Sequence, residues 1–409
     1  MTIALIAGSG MAGRAAALTL RRVGWTGEIV LVGDDPEYPY DRPPLSKSVV
    51  IGTADMNKVI KPAPEVYEQE AIDLRRGVTV TGADATAKTA ELSDGSTVAW
   101  DALVLATGCA PRQLPIPGLD LPGVYRVTRL DEALEIQAVL ATGPKHLGII
   151  GGGFIGMEVA AAAVAAGHTA TVLEAAPEPM SRPLGLEVAE RVLLWATDRG
   201  VVVRAGVGVE QVSGDDIATG VRLVGGEEID ADLVIVAVGQ SPRLELAQQL
   251  GCEEVVGGIK VDAGMRTSVA DVYAVGDIAA FPSTWADEDR IRVEHAAVAI
   301  GHGQVAAEQI ATGEGRYDDL PSFWSDQGDL TLNVVGVARP DDEIVWRGDQ
   351  ALPACTAFYL REGTMRAAFS VSDMKTLRGV RKLFAAGVSP TREQLADPAV
   401  DLAALAAEG

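Results

Sequence analysis

The sequence predicts an α/β protein with two parallel-sheet domains and a small α+β domain at its C-terminal end. Three observations predict it. A unit of strand, glycine turn, helix and strand opens the chain, and the same unit recurs near residue 150. The length of 409 residues exceeds one ordinary hydrophobic core. From about Ser325 onward, several strand-like segments are followed by helical ones.

The first unit begins with Thr2-Ile-Ala-Leu-Ile-Ala7, a short apolar β-rich run of the kind buried in parallel sheets. Gly8-Ser-Gly-Met-Ala-Gly13 ends it, and residues 14–22, rich in alanine and leucine, favour a helix. Glu28-Ile-Val-Leu-Val-Gly33 is the next strand and runs into Asp34 and Asp35. Residues 90–99 read as a hairpin with Asp94-Gly95 at its turn, and an apolar strand at 102–106 leads to Thr107-Gly108. The Pro/Gly-rich residues 111–118 mark a crossing between domains.

The second unit repeats the first. His146-Leu-Gly-Ile-Ile150 is a strand, Gly151-Gly-Gly-Phe-Ile-Gly156 a glycine turn and residues 157–166 a helix. Thr169-Ala-Thr-Val-Leu173 follows and ends at Glu174. A hairpin strand at 225–229 leads to Leu233-Val-Ile-Val-Ala-Val-Gly239, and residues 239–242 mark a second crossing. The expected division is 1–110 with 243–324, then 111–242, then 325–409.

Composition narrows the function. The 48% hydrophobic and 22% charged fractions describe a globular rather than a disordered chain. With 57 acidic against 34 basic residues the net charge is −23, which argues against nucleic acid and anionic membranes as partners. Cys109, Cys252 and Cys355 stand far apart, so neither a disulfide framework nor a zinc ribbon is expected, and a reducing cytoplasmic compartment fits. The four histidines lack metal-ligand spacing. The apolar run at 159–167 is too short to span a bilayer, and the first residues lack a signal-peptide pattern.

The glycine turns carry the chemistry. Glycines let the backbone approach a pyrophosphate, and a helix N-terminus presents free N–H groups and positive potential to it. Both copies follow a strand, open a helix and have an acid after the next strand, so two Rossmann-like dinucleotide-binding domains are expected. Two dinucleotides in one chain are most simply a flavin and a nicotinamide nucleotide. Glu174 lies about 20 residues past Gly151, the spacing of a ribose contact. A carboxylate there accepts from the ribose hydroxyls and repels a 2′-phosphate, which predicts NADH over NADPH; Arg182, nearby in sequence, counts against that choice.

Six segments together carry a resemblance: Gly8 to Gly13, Pro39-Tyr-Asp-Arg-Pro-Pro-Leu-Ser-Lys47, Ala106-Thr-Gly-Cys-Ala-Pro-Arg112, Gly151 to Glu158, Val272-Tyr-Ala-Val-Gly-Asp277 and Phe323-Trp-Ser-Asp-Gln327. Over essentially its whole length the chain resembles the ferredoxin reductases of oxygenase systems. These are the putidaredoxin-reductase and biphenyl-dioxygenase-reductase family of FAD-dependent, glutathione-reductase-like proteins. The resemblance implies that Gly8, Gly10, Ala12 and Gly13 hold the FAD diphosphate and that Asp34 or Asp35 holds its ribose. It places Arg42 and Lys47 beside the flavin and Val80 at the adenine. Ala106, Thr107, Gly108, Gly276 and Asp277 line the same cofactor, with Ala296 near the pyrimidine ring.

The second cradle, by the same resemblance, is Gly151, Gly153, Phe154, Ile155 and Gly156 with Glu174, Arg182 and Gly239. Lys47 and Glu158 are implied to meet near flavin N5, where a cation stabilises the reduced ring and a carboxylate positions nicotinamide. Trp324 is implied to lie against the isoalloxazine on the side of an iron–sulfur partner. Two departures stand out. The family's aromatic is absent at Glu294-His295-Ala296, and its Arg-Thr-Leu segment reads Thr128-Arg129-Leu130 here, leaving Arg129 or Arg126 to supply the flavin contact.

No cysteine occupies residues 41–47, where disulfide reductases carry a redox pair and peroxide reductases a single reactive thiol. Electrons are therefore expected to leave the flavin for an outside acceptor, a [2Fe-2S] ferredoxin serving a cytochrome P450 or a ring-hydroxylating dioxygenase. The alternatives are a rubredoxin acceptor, or an apoptosis-inducing-factor-like binding role, which usually needs long insertions or a targeting segment. Between Arg361 and Arg392 there are seven basic residues against two acids. That segment, chiefly Arg378, Arg381 and Lys382 with Arg290 and Arg292 as additions, is the expected docking patch for an acidic ferredoxin. Monomer and homodimer both stay open.

Overall fold

The computed structural model describes residues 2–350 and 354–408. The chain folds as two compact units. The first comprises Met1–Pro43, Asp55–Ala110 and Gln240–Asp319, the second Pro44–Ala54, Pro111–Gly239 and Leu320–Gly409. Pro44–Ala54, which the sequence reading left inside residues 1–110, thus belongs to the second unit.

In the first unit five parallel strands run in the order Val272–Ala274, Ala102–Leu105, Ile3–Ala7, Glu28–Gly33, Ile72–Arg76. Covered on both faces, they read as unbroken apolar runs, and Leu5, Ile6, Val30, Leu31, Leu103 and Val104 are fully buried. Each such side chain contributes about 1.5–3 kcal/mol of transfer free energy. The helix Met11–Arg22 starts three residues before the sequence reading put it, because Gly10 adopts the extended cap conformation and lets helical geometry begin inside the glycine turn. The helix Ala296–Thr312 packs on it so closely that a Cβ at Gly303 would lie 2.2 Å from the Ala12 carbonyl oxygen. The expected hairpin is Thr89–Leu92 and Thr97–Ala99, in a three-stranded antiparallel sheet with Val80–Asp84.

The second unit repeats the design. Its parallel sheet runs Val202–Ala205, Thr169–Glu174, His146–Ile150, Leu233–Val236, Val124–Tyr125, and the helix Phe154–Ala165 leaves its centre after a Gly153 cap. The C-terminal part is a five-stranded antiparallel sheet ordered Ser322–Gln327, Leu330–Gly336, Thr364–Val371, Thr356–Arg361, Glu343–Arg347. The helix Met374–Ala386 covers one face of it, burying Leu377, Val380 and Leu383 against Val335, Phe358 and Ala368. No helix among the described residues is long and apolar enough to cross a membrane.

Candidate functional site

In the first unit, Gly8 (φ 118°) turns the chain out of the strand Ile3–Ala7, and a Cβ there would stand 2.1 Å from the Ala106 carbonyl oxygen. A Cβ on Gly13 would reach within 1.8 Å of the Gly8 carbonyl oxygen, so only glycine lets the helix approach the turn this closely. At Gly10, by contrast, a Cβ would meet nothing within 4 Å. The helix N-terminus therefore faces open space through a residue without a side chain, the arrangement a diphosphate requires. Ala12 is buried beneath it, where a Cβ on Gly276 would touch it at 3.1 Å.

Asp35 accepts from Tyr40 Oη at 2.7 Å and from the Glu37 N–H at 3.1 Å, so both its oxygens serve its own loop. Asp34 reaches Arg243 at 3.2 Å and keeps a half-exposed carboxylate at the strand end. Asp277 is partly buried just past Gly276. Burial, reinforced by Glu294, pushes its carboxyl up to about 6, while Arg42 and Arg292 act in the opposite sense. Thr107 donates to the Arg243 carbonyl at 2.8 Å, and Gly108 has open space at its Cβ position. Val80 is half-buried at the start of its strand, Arg42 is exposed, and Ala296 is the first residue of the helix Ala296–Thr312.

The second cradle has the same construction. A Cβ on Gly151 would strike the Ala237 carbonyl oxygen at 2.3 Å, one on Gly156 the Gly151 oxygen at 2.1 Å, and Gly153 and Gly239 face open space. Glu174 is fixed by two backbone donors, the N–H of Gly152 to Oε2 at 2.6 Å and that of Ala176 to Oε1 at 2.8 Å. Arg182 is exposed on the short helix Ser181–Leu184 and forms no ion pair with Glu174 among the described residues. Phe154 packs edge-on to Phe323 at 5.0 Å, and Ile155 is exposed.

Lys47 and Glu158, distant in sequence, meet in the second unit with Nζ 3.2 Å from Oε1. Glu158 is 6% exposed, a position where a carboxylate needs compensation. Beyond Lys47 it accepts from Ser46 Oγ at 2.5 Å and from Ser325 Oγ at 2.7 Å. Asp326 stands 3.8 Å from the same ammonium. Neither serine nor Asp326 is among the site residues expected from the sequence; their signal is membership of the segments Pro39 to Lys47 and Phe323 to Gln327 that carry the resemblance. Trp324, one step along the strand from Ser325, is 43% exposed.

Arg129 caps the helix Leu130–Leu140, with Glu132 accepting from the N–H groups of Thr128 and Arg129, and lies 3.7 Å from Asp131. Arg126 instead has a buried Nε without a hydrogen-bond partner in the structure. Of the docking candidates, Arg290 donates to the Val261 carbonyl, and Arg292 to the Asp277 carbonyl and to Glu294; both are half-buried and turned to their own unit. Arg378, Arg381 and Lys382 are exposed on the helix Met374–Ala386.

Residues 3–303 match the family model described as pyridine nucleotide-disulphide oxidoreductase. The chain belongs to the pyridine nucleotide-disulphide oxidoreductase family. Residues 322–406 of this oxidoreductase match a second model, the reductase C-terminal domain. It is 33% identical to the probable ferredoxin reductase CtmF of Castellaniella defragrans over 98% of each chain. It also resembles the ferredoxin reductase for the CYP199A2 system from Rhodopseudomonas palustris, at 34% identity and a TM-score of 0.93, covering 99% of this chain and 100% of that one. The covalent putidaredoxin reductase–putidaredoxin complex matches at 32% identity and a TM-score of 0.94, covering 100% of this chain and 98% of that one.

The disulphide of the family name has no counterpart here, since Cys109, Cys252 and Cys355 are all unpaired. Burial, with Asp277 and Glu294 adding to it, pushes the Cys109 thiol up to about 12, and burial pushes Cys355 up to about 11. Neither supplies the thiolate that disulfide exchange requires.

A buried histidine in this oxidoreductase gives it a pH signature. His302 is fully buried, edge-on to Phe281 and Tyr317 with ring centroids 4.5 Å away in each case. Burial disfavours the imidazolium and pulls the pKa down to about 3. The unfolded chain takes up this proton near pH 6.5 and the folded chain does not, so stability is lost as pH falls from about 6.5 towards 3. Asp277, raised in the fold, acts with the opposite sign between about pH 4 and 6, so a comparison of variants isolates His302. Chemical denaturation near pH 6 and pH 5 should show the wild type losing about 1.2 kcal/mol more than His302→Phe over that unit. Parallel losses in both proteins would contradict it.

Proposed function

We propose that this chain is an FAD-dependent NADH:ferredoxin oxidoreductase whose acceptor is a [2Fe-2S] ferredoxin serving a cytochrome P450 or a ring-hydroxylating dioxygenase. The observation that carries the proposal is the pair of intact glycine cradles within a chain similar throughout to ferredoxin reductases. FAD, when bound, supplies the conversion of a two-electron donor into single electrons for the acceptor. We assign FAD binding to 1–110 with 243–324, NAD binding to 111–242 and partner contact to 325–409. A reducing, cytoplasmic setting is supported by the three unpaired thiols.

The chain's own residues divide the work. Gly8, Gly10 and Gly13 admit the FAD diphosphate, and Asp34 or Asp35, at the end of the strand Glu28–Gly33, takes the ribose. Gly151, Gly153 and Gly156 admit the second diphosphate, and the fixed Glu174 carboxylate binds the ribose hydroxyls and rejects a 2′-phosphate. Lys47 supplies positive charge to an electron-rich ring, and Glu158 orients nicotinamide. Arg126 takes the flavin contact in place of Arg129, whose backbone N–H is held by Glu132 at the helix start and whose side chain faces Asp131.

The acceptor surface is smaller than the sequence count indicated. Arg361 is paired with Asp342 at 2.7 Å and Arg392 with Glu343. Lys375, Arg378, Arg381 and Lys382 remain exposed on a helix that carries no acid. Trp324 aligns with Asn333 and Ser370, two residues from Val335 and Ala368, so it shares the sheet face that this helix covers. Exposed positive charge on this helix, together with an exposed indole in the same sheet-and-helix layer, suits an acidic redox partner.

Charge reversal of Arg378, Arg381 and Lys382 together should slow NADH-driven reduction of an acidic [2Fe-2S] ferredoxin at least about tenfold and weaken its dependence on salt. Ferricyanide reduction should be unchanged. Equal loss with both acceptors would remove the docking assignment, and a colourless protein that takes up no flavin would remove the function itself.

A further inference from the structure

The buried carboxylate of Glu158 collects three donors from two separate stretches of chain. Ser46 Oγ donates to Oε2 at 2.5 Å, Ser325 Oγ donates to Oε1 at 2.7 Å, and Lys47 Nζ approaches Oε1 at 3.2 Å. Ser46 is 5% exposed and Ser325 1%, so water does not substitute readily for either hydroxyl. The two hydroxyls fall on different oxygens. Together they fix the rotation of the carboxylate about its last torsion, which is otherwise broad and roughly two-fold. The serines also settle a competition, because Lys47 has a second carboxylate, Asp326, at 3.8 Å. Donation from Ser325 to Oε1 holds Glu158 where it keeps the ammonium.

We infer that Ser46 and Ser325 are positioning residues, a two-hydroxyl clamp that aims the Glu158 carboxylate and holds Lys47 on it rather than on Asp326. This rests on the proposed roles of Lys47 and Glu158 and adds the pair of side chains that makes those roles geometrically defined. Neither serine reaches a cofactor in this account; each acts through the carboxylate. Hydrogen bonds to a charged group in a water-poor site are the strong class, and losing one releases a group whose aim matters to within fractions of an ångström.

The test compares Ser325→Ala, Ser325→Thr, Ser46→Ala and Glu158→Gln in the flavin-loaded protein. The readouts are the rate of flavin reduction at saturating NADH, the dissociation constant of NAD⁺ by calorimetry and the thermal midpoint. Ser325→Ala is expected to slow flavin reduction about tenfold and weaken NAD⁺ binding about threefold, with Ser46→Ala acting alike. Ser325→Thr, which keeps the hydroxyl, is expected to restore both to within about twofold of the wild type. If Thr is not accommodated and lowers the thermal midpoint, Ser46→Ala alone decides.

Wild-type rates and affinities in both alanine variants, with Glu158→Gln impaired, would overturn the clamp and leave the role of Glu158 standing. An unimpaired Glu158→Gln would overturn that role and the clamp together. A fall in thermal midpoint without change in rate or affinity would assign the serines to packing alone.

Discussion

Replacing Gly13 with valine is expected to give a colourless protein that neither retains FAD nor oxidises NADH. The smallest side chain at this position places Cβ 1.8 Å from the Gly8 carbonyl oxygen and 3.2 Å from the Ile6 side chain. The helix Met11–Arg22 must then retreat by more than about 1 Å to reach ordinary contact distance, and overpacking of that kind costs about 1–3 kcal/mol by itself. The larger effect falls on the ligand. Retreat withdraws the N–H groups at the helix start from the diphosphate, and affinity for FAD should fall at least about a hundredfold. Gly10→Ala is the control, since its Cβ meets nothing within 4 Å of protein and blocks only the ligand's approach. It should fold with wild-type stability and bind FAD weakly. The ratio of flavin to protein absorbance after purification measures both, and a yellow Gly13→Val protein would refute the close-approach argument.

Lys47→Met should combine a stability defect with slow flavin reduction. It leaves the Glu158 carboxylate buried with two hydroxyls and no cation, and breaking a buried pair from one side costs about 3–5 kcal/mol. The two serine donors and the residual exposure of Lys47 place the expected loss at the lower end, about 3 kcal/mol. Glu158→Gln added to Lys47→Met removes the stranded charge and should recover part of the stability in a denaturant titration. Flavin reduction by NADH should stay about a hundredfold slow in both variants, because the positive charge is missing in each. Recovery of rate along with stability in the double variant would show that the pair serves folding and not the reaction.

Both glycine turns were legible in the sequence as glycine runs between a strand and a helix. Half of the contacts that demand glycine are local, Gly13 over Gly8 and Gly156 over Gly151, whereas Gly8 and Gly151 are forced by the distant Ala106 and Ala237 carbonyls. The parallel sheets were legible for a similar reason, since burial on both faces leaves continuous apolar runs such as residues 3–7 and 146–150. The Lys47–Glu158 pair was accessible only through resemblance, because no spacing rule links positions so far apart. Ser46 and Ser325 lie in two segments that carry the resemblance, but nothing in the sequence sets them against Glu158; a serine's role becomes definite only when a fold places its hydroxyl against a buried carboxylate. The basic segment was overcounted because Asp342 and Glu343, from another part of the chain, neutralise Arg361 and Arg392. The placement of Pro44–Ala54 was missed because a short excursion into another unit leaves no composition shift at its ends.

The order in which the two parallel sheets can be completed during synthesis follows from the interleaving of the two units along the chain. The first unit's sheet lacks its edge strand until Val272–Ala274 has been made, and the helix Met11–Arg22 lacks its packing partner until Ala296–Thr312 follows. The parallel sheet of residues 111–239 needs no such late arrival, and the two ends of that stretch are tied by the Arg112 N–H on the Gly239 carbonyl at 3.0 Å. The strands of the later-encoded sheet can therefore all pair before the N-terminal sheet has its last strand, although the helix Phe154–Ala165 still awaits Phe323 and Ser325.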